Sequence, residues 1–509
     1  MLNLVNVFAN PTTVSDAGYE APHRFLILGL GESGVAMAKW CLRNGALVQL
    51  ADTRDRSTLG ERQLAWLAEL ELAGLKAASF GPLSDDLLSE IDVIGISPGL
   101  SPLQDPTESF LVKARKAKID VWSEIEFFAR AIASIERMAH EQQCAYTTSV
   151  LAITGTNGKT TTTALTGQLC ERAGKKVAVA GNISPAALDK LMECLDAADQ
   201  IEDMPDIWVL ELSSFQLVYT YSLNATAATV LNITQDHLDW HGSFDSYANA
   251  KMRLLDYSRM GILNAEDPEI MARSSSWNGK KVFYSLETPM AGELGLVENI
   301  LVDRAFIADT TQAETLAELS DIKPTVPHNV SNALAAAGLA RAIGVSHSDI
   351  RNGLAQFKVD HHRIETVLTK DGITWVNDSK ATNPHSAIAS ILSHERVVWI
   401  AGGLAKGASM DQLVRRAKPR LASVILIGTD APAIEAALIS HAPDIPRHLI
   451  PSASSSQELM NAIVRKALEI AKAGDNVLLA PACASMDQFD SYAHRGNLFT
   501  DTVQSIVGA

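Results

Sequence analysis

Cysteine is scarce, with five thiols in 509 residues. Cys41, Cys144, Cys170, Cys194 and Cys483 form no CxxC pair and no metal-ligand spacing. That excludes a disulfide framework or a zinc module, and reduced thiols in a cytoplasmic setting are expected. Long apolar runs are also lacking. None approaches the roughly 18–20 residues that a membrane-crossing helix needs, so no membrane insertion is expected. The opening MLNLVNVFANPTTVSDAGYE has neither a basic start nor an extended apolar stretch, and no signal peptide is expected. Basic charge is in deficit: 43 Lys+Arg against 59 Asp+Glu leave a net charge of −16. Such a surface repels phosphate backbones and anionic lipids, which argues against a nucleic-acid partner. A phosphate-bearing substrate then requires cations or amides gathered at one place.

What is present is an ordinary soluble composition, 47% hydrophobic and 20% charged. At roughly 150 residues per domain the chain should hold about three domains. Apolar runs followed by glycine turns and helix-like segments recur at FLILGLGESG (25–34), VLAITGTNGK (150–159) and VVWIAGGLAKG (397–407). This alternation predicts α/β architecture with mainly parallel sheets. VWSEIEFFARAI reads as a helix entering a second domain, and a further boundary is expected near KVDHHR. The domains are therefore expected over 1–121, 122–359 and 360–509. Residues 132–149 and 196–206, and the serine clusters at 274–276 and 452–456, carry no chemical motif and are expected at the surface.

The strongest chemical signal is Gly155, Thr156, Asn157, Gly158, Lys159, Thr160, Thr161, directly after the apolar run Val150–Ile153. Phosphate binding needs several N–H donors converging on anionic oxygens, and a glycine turn opening a helix supplies them. Lys159 can neutralise β/γ-phosphate charge, and the Thr160 hydroxyl can ligate Mg²⁺. Glu211 ends a second apolar run (IWVLE), where a carboxylate suits a hard cation. His237 lies in a DHxD cluster after ATVLNIT, at the end of a strand where open α/β sheets place ligands. Asp239 is expected to hold its loop, and His241 is evenly balanced between site and packing. Lys251 follows His237 by fourteen residues.

Nearer the N-terminus, Gly29, Gly31 and Gly34 follow FLIL, and Asp52 stands eighteen residues beyond Gly34. On its own this reads as a dinucleotide fingerprint, with Arg54 hinting at a 2′-phosphate. A dehydrogenase leaves the central phosphate loop without a role.

GTNGKTT, then ELSSFQL, then NITQDHLDWH with Tyr247 and Lys251, resembles the Mur ligases, the amide-forming enzymes of peptidoglycan precursor assembly. The folylpolyglutamate synthases are similar in this central region, but give no reason for the N-terminal glycine-rich unit. A nucleotide-dependent switch is the rival from outside enzymology. The Mur resemblance runs from residue 25 to 499 and implies an N-terminal Rossmann-like domain, a central P-loop ATPase-like domain and a C-terminal Rossmann-like domain.

It further implies two Mg²⁺ ions, one held by Thr160 and Glu211, the other by His237 and a carbamylated Lys251. The bland alternative is a Lys251 ammonium paired with Asp236 or phosphate. Asn329 and Asn332 stand where the family reads adenine, and Arg363, Asp378 and Lys380 where ATP is contacted. Ser33, Asp52, Thr53, Arg54 and Gly99 match the contacts to UDP, and Asn182, Ser213 and Gln216 those near the muramoyl-alanine part. The NDSKATN stretch resembles the D-glutamate-adding branch, which places Thr382, Lys406, Ser485, Met486 and Tyr492 around the amino acid. The substrates implied are UDP-N-acetylmuramoyl-L-alanine, D-glutamate and ATP, joined through an acyl phosphate. A monomer is expected, and the base that deprotonates the amine stays unassigned.

Overall fold

The computed structural model describes residues 4, 7–9, 23–309, 311–357 and 361–508. The boundary expected at 359/360 and most of the opening segment lie outside them. By internal packing the chain divides into two units. One runs to Ile233 and resumes over Trp240–Phe357; the other takes Thr234–Asp239 and the C-terminal part from residue 358 on.

The first unit holds two sheets. The smaller has the order Ala77–Phe80, Leu47–Asp52, Arg24–Leu28, Val93–Ile96, Asp120–Trp122, all parallel. Its central strands are apolar on both faces, as a sheet covered by helices requires. The order reverses between Arg24–Leu28 and Val93–Ile96, so a crevice opens beyond their carboxyl ends. Helix Glu32–Arg43 starts there, directly after the glycine turn.

The larger sheet has nine strands, and its parallel part runs Val177–Gly181, Ile207–Glu211, Ser149–Thr154, Ala227–Val230, Met260–Asn264, Lys280–Tyr284. Strands Glu293–Val297, Ile300–Asp303 and Glu314–Glu318 extend one edge, the last two pairings antiparallel. The central strand Ser149–Thr154 delivers the phosphate loop to the carboxyl edge, between Glu211 and Leu231. One core joins both sheets through helix Glu124–Glu141, whose Phe127 and Phe128 pack with Phe25, Ile27, Val150 and Trp208.

Two stretches expected at the surface contribute to that core. Residues 132–141 continue this helix and bury Ile135 and Ala139, and Ala198, Ile201 and Met204 are buried as well. The absence of a chemical motif says nothing of burial: Met138 packs against the same core although Glu136 and Arg137 precede it in the helix. Of the serine clusters, Ser274 is buried at a helix end, whereas residues 452–455 are exposed.

The second unit carries a six-stranded sheet ordered Glu365–Lys370, Ile373–Asn377, Asn476–Leu479, Val397–Gly402, Leu421–Ile427, Arg447–Leu449, parallel except for the first pair. Helices Pro384–Leu392, Asp411–Ala417 and Ala431–His441 pack on one face, and Ser456–Ile470 and Tyr492–Ile506 on the other. Among the described residues no helix is long and apolar enough to cross a membrane.

Candidate active site

The phosphate loop is held by side chains from two helices and one loop of the same unit. Gly158 adopts φ +84°, and a Cβ there would meet the Asn332 amide oxygen at 2.4 Å. Only glycine admits the tight turn and the close approach together. Asn232 clamps the turn reciprocally: its Oδ1 accepts from the Asn157 amide at 2.8 Å, and its Nδ2 donates to the Asn157 carbonyl at 3.1 Å. The Thr156 hydroxyl pairs with Tyr247 Oη at 2.8 Å. Helix Lys159–Arg172 follows at once, so its positive end faces the loop. Thr160 lies in its first turn, half-buried, and Thr161 is buried behind it.

Lys159 and Lys251 converge on one carbonyl. Each Nζ donates to the Gly155 oxygen at 2.9 Å, and Lys159 also donates to the Thr156 carbonyl at 3.0 Å. Lys251 is 2% exposed and lies 4.8 Å from the Tyr247 ring centroid. Two amines on one oxygen make the loop strongly electropositive within an acidic protein, and like charges so close favour an anion between or upon them.

Glu211 ends its strand beside this loop, 2% exposed. Its Oε1 accepts from Asn182 Nδ2 at 3.1 Å, whereas its Oε2 is buried without a hydrogen-bond partner. A buried carboxylate oxygen left open at the end of a strand fits a hard cation. Ser213 and Gln216 form a capping box at the start of helix Ser214–Val218, where Gln216 Oε1 accepts from the Ser213 amide and hydroxyl. His241 resolves as a packing residue: it is buried, stacks on Phe215 and shares a 2.9 Å hydrogen bond with the Ser214 hydroxyl.

In the crevice of the smaller sheet, Asp52 organises the glycine turn. Its Oδ2 accepts from the Leu30 amide and Arg54 Nη2, both at 2.7 Å, and its Oδ1 from the Arg54 amide and Nε, both at 2.9 Å. Burial opposes ionisation, but the Arg54 fork and the Leu30 amide hold the carboxyl below its usual range. Asp52 thus fixes the turn, while Arg54 and Gly99 are exposed and Ser33 and Thr53 half-buried. Trp240 ties the crevice to the larger sheet by donating from Nε1 to the Pro98 carbonyl at 3.1 Å.

His237 belongs to the segment that groups with the second unit. It holds φ +53°, its amide donates to Asp236 Oδ1 at 2.9 Å, and its ring lies 3.7 Å from the same carboxylate. Among the described residues no cluster of three or more His, Cys, Asp or Glu gathers; Thr160, Glu211, His237 and Lys251 are of mixed type, and His237 is not brought together with the rest within one unit. The second unit brings its own candidates together. Lys380 Nζ lies 3.8 Å from the Tyr492 ring centroid, an approach suited to cation–π attraction. Leu404 and Ala484 exchange backbone hydrogen bonds at 2.9 Å, which joins the loop of Lys406 to that of Ser485 and Met486. Lys406 and Met486 are exposed, Ser485 is buried, and Thr382 is half-buried. Burial pushes Asp378 up to about 6, against the pull of the Arg363 guanidinium. In the first unit Asn329, also buried, donates to the Pro324 carbonyl at 3.1 Å.

Residues 23–123 match the MurD-like N-terminal domain of Mur ligases, 153–340 the Mur ligase middle domain and 362–483 the Mur ligase glutamate ligase domain. The chain belongs to the Mur ligase family. A UDP-N-acetylmuramoylalanine–D-glutamate ligase of Ralstonia nicotianae is 42% identical over 94% of this chain and 96% of its own length. A ligase of the same name from Paraburkholderia phymatum is 41% identical over the same shares. Among solved structures, MurF from Acinetobacter baumannii superposes with a TM-score of 0.56 at 16% identity, covering 94% of this chain and 93% of that one. A pseudomurein peptide ligase type C from Methanothermus fervidus gives 0.55 at 17% identity, covering 95% and 100%. These likenesses in fold bear out the expected α/β architecture, which the structure builds as three sheets.

Two supports of this Mur ligase site carried no role in the sequence reading: the Asn232 clamp and the Trp240 strut. Asn232 stood within a quoted motif but carried no role. Trp240 meets a partner 142 residues away, which no local pattern announces.

Proposed function

We propose that this Mur ligase adds D-glutamate to UDP-N-acetylmuramoyl-L-alanine with ATP, through an acyl phosphate, in the cytoplasmic stage of peptidoglycan precursor synthesis. The observation that carries the reading is the phosphate loop with Lys159 and Lys251 on one carbonyl beside the open oxygen of Glu211. The curated relatives' shared name supports the choice of D-glutamate and of the UDP substrate. The proposed domains are 1–121 for the UDP substrate, 122–359 for the ATP core and 360–509 for D-glutamate.

In the first step the alanyl carboxylate attacks the γ-phosphorus of ATP, and ADP leaves. The loop amides of Gly155 to Thr161 and Lys159 neutralise charge on the transferring group. In the second step the D-glutamate amine, having lost a proton, attacks the acyl carbon and expels phosphate. Mg²⁺ would supply charge neutralisation for the transferring phosphoryl group, and Thr160 with Glu211 would hold one ion. His237 and a carbamylated Lys251 would hold a second, since carbamylation replaces an ammonium by an oxygen anion. A Mur ligase from Thermotoga maritima solved with ADP supports nucleotide binding by this fold. Asn329, Asn332, Arg363, Asp378 and Lys380 are proposed for ATP. Ser33, Thr53, Arg54 and Gly99, with Asn182, Ser213 and Gln216, are proposed for the UDP substrate, Asp52 acting through Arg54 and the glycine turn. Thr382, Lys406, Ser485, Met486 and Tyr492 are proposed for D-glutamate.

The test is phosphate release from ATP across a panel of UDP-muramoyl acceptors and D- or L-amino acids. Full turnover should require both UDP-N-acetylmuramoyl-L-alanine and D-glutamate. Equal turnover without an acceptor, or with L-glutamate in place of the D-form, would overturn the reading.

A further inference from the structure

Arg495 is a guanidinium enclosed in the second unit with no exposed surface. Its Nε donates to Ser379 Oγ at 3.0 Å and its Nη2 to the Ser379 carbonyl at 2.9 Å. Nη1 and Nη2 both reach the Cys483 carbonyl at 3.3 Å. Ser379 Oγ in turn donates to the Tyr492 carbonyl at 2.7 Å. Three stretches distant in sequence thus meet on one side chain: Asn377–Asn383, Pro481–Met486 and the start of helix Tyr492–Ile506. A second set of bonds reinforces the first stretch. Asn377, fully buried, donates from Nδ2 to the Gly496 carbonyl at 2.9 Å and to Thr500 Oγ1 at 3.0 Å, and the same nitrogen lies 2.9 Å from His362 Nδ1. A Cβ on Gly496 would fall 2.4 Å from His362 Nδ1, so the helix can approach only because that position is glycine.

The arrangement is expensive for what stability alone requires. Among the described residues Arg495 makes no ion pair, and its donors end on two carbonyls and a hydroxyl. Burial lowers its pKa to about 10, so it stays cationic at neutral pH. Well-packed apolar side chains of similar volume usually serve stability as well or better than a buried charge. What a planar fork offers beyond them is a fixed spacing between the groups it bridges. The groups bridged here flank Thr382 on one stretch, Ser485 and Met486 on the next and Tyr492 on the third, and the Leu404–Ala484 bridge adds the Lys406 loop.

We infer that Arg495 is a positioning residue for amino-acid addition, whose guanidinium sets the register of the D-glutamate-binding loops without touching the substrate. This rests on the ligase reading proposed above. Arg495→Lys keeps the charge and loses the fork; Ser379→Ala removes only the hydroxyl that the fork engages. In the full-length enzyme, Arg495→Lys should raise the KM for D-glutamate roughly tenfold, the loss of one charge-assisted contact's worth of alignment. The KM for UDP-N-acetylmuramoyl-L-alanine should stay within about twofold, because that substrate is assigned to the other unit. Ser379→Ala should move the D-glutamate KM in the same direction. The double variant should fall short of the product of the two single effects, since both changes remove the Nε–Oγ bond, while Ser379→Ala alone also removes the bond to the Tyr492 carbonyl.

A lowered melting temperature with an unmoved D-glutamate KM would overturn the inference, as would multiplicative effects in the double variant. If Arg495→Lys fails to fold, an unmoved D-glutamate KM in Ser379→Ala overturns it. Lack of D-glutamate-dependent turnover in the unaltered protein is a different failure, which overturns the ligase reading and this inference with it.

Discussion

Lys159 and Lys251 share the Gly155 carbonyl, and that juxtaposition separates two accounts of Lys251. A plain ammonium there adds positive charge to a loop already served by Lys159. A carbamate turns the same side chain into an oxygen donor for a cation near Glu211. Lys251→Ala should then lower turnover by on the order of 10²-fold or more, the scale of losing one preorganised electrostatic group. Added formate or acetate, entering the vacated space, should restore part of it relative to a matched chloride control. Full activity in the alanine variant without added carboxylate would leave Lys251 a packing or phosphate-pairing lysine. Lys406 makes a distinct claim at the same scale. It is exposed, at φ +51° beside Gly407, where its amine can meet the side-chain carboxylate of D-glutamate. That carboxylate is present before and during attack, so the contact contributes largely uniform binding. Lys406→Ala should raise the KM for D-glutamate by roughly 10- to 150-fold, for a loss of about 1.5–3 kcal/mol, with acyl-phosphate formation spared. Steady-state kinetics with varied D-glutamate check it, and an unchanged KM removes Lys406 from the site.

At the scale of elements, the glycine turn after Arg24–Leu28 shows how tightly a helix is set against its strand. A Cβ on Gly34 would sit 1.9 Å from the Gly29 carbonyl oxygen, whereas one on Gly31 meets nothing within 4 Å. Gly34→Ala must push helix Glu32–Arg43 away from the turn, at about 1–3 kcal/mol of overpacking. Gly31→Ala, at an extended helix N-cap, should change stability by about 0.5 kcal/mol or less. Thermal melts of the two variants side by side check this, and equal melting temperatures would refute the close approach. Such turns were readable from sequence because strand, glycines and helix are contiguous, and the same holds for Gly155 to Thr161. The second unit's site was readable only as isolated motifs. Asn377 bonds to a carbonyl 119 residues away and Ser379 to a guanidinium 116 residues away, and spacing along the chain carries no trace of either. VWSEIEFFARAI likewise marked the start of the helix at 124–141, whereas the burial of its continuation past residue 132 depends on a core contributed by distant segments. Asp52 shows the limit from the other side: its position in the fingerprint was plain, but its saturation by Leu30 and Arg54 is a fact of three dimensions.

At the scale of the whole molecule, the two sheets of the first unit are joined at Glu124. This residue opens the helix after the smaller sheet and is 1% exposed. Its Oε1 accepts from the Leu188 amide at 2.6 Å, on a helix of the larger sheet's layer, and its Oε2 is buried without a partner. Burial pushes its pKa up to about 8, the nearby Asp189 and Glu32 carboxylates add to the rise, and the Leu188 and Ala187 amides only partly offset it. At neutral pH the folded chain therefore holds a proton on Glu124 that the unfolded chain, titrating near 4.5, has released. Where the native state binds more protons than the unfolded state, stability falls as pH rises. The contribution is fully present below about 4.5, declines by at most about 1.4 kcal/mol per pH unit through the window, and levels off above about 8. Glu124→Gln keeps an acceptor for Leu188 and cannot ionise, so it should flatten that slope. The measurement is hydrogen exchange across Glu124–Glu141 and Ala187–Ala197 between pH 5.5 and 8.5, corrected for intrinsic exchange. In the unaltered protein protection should drop with rising pH beyond the correction, and in Glu124→Gln it should drop less. Parallel slopes in the two proteins would mean that Glu124 is ionised in the folded state, and that the junction takes its stability from the shared apolar core alone.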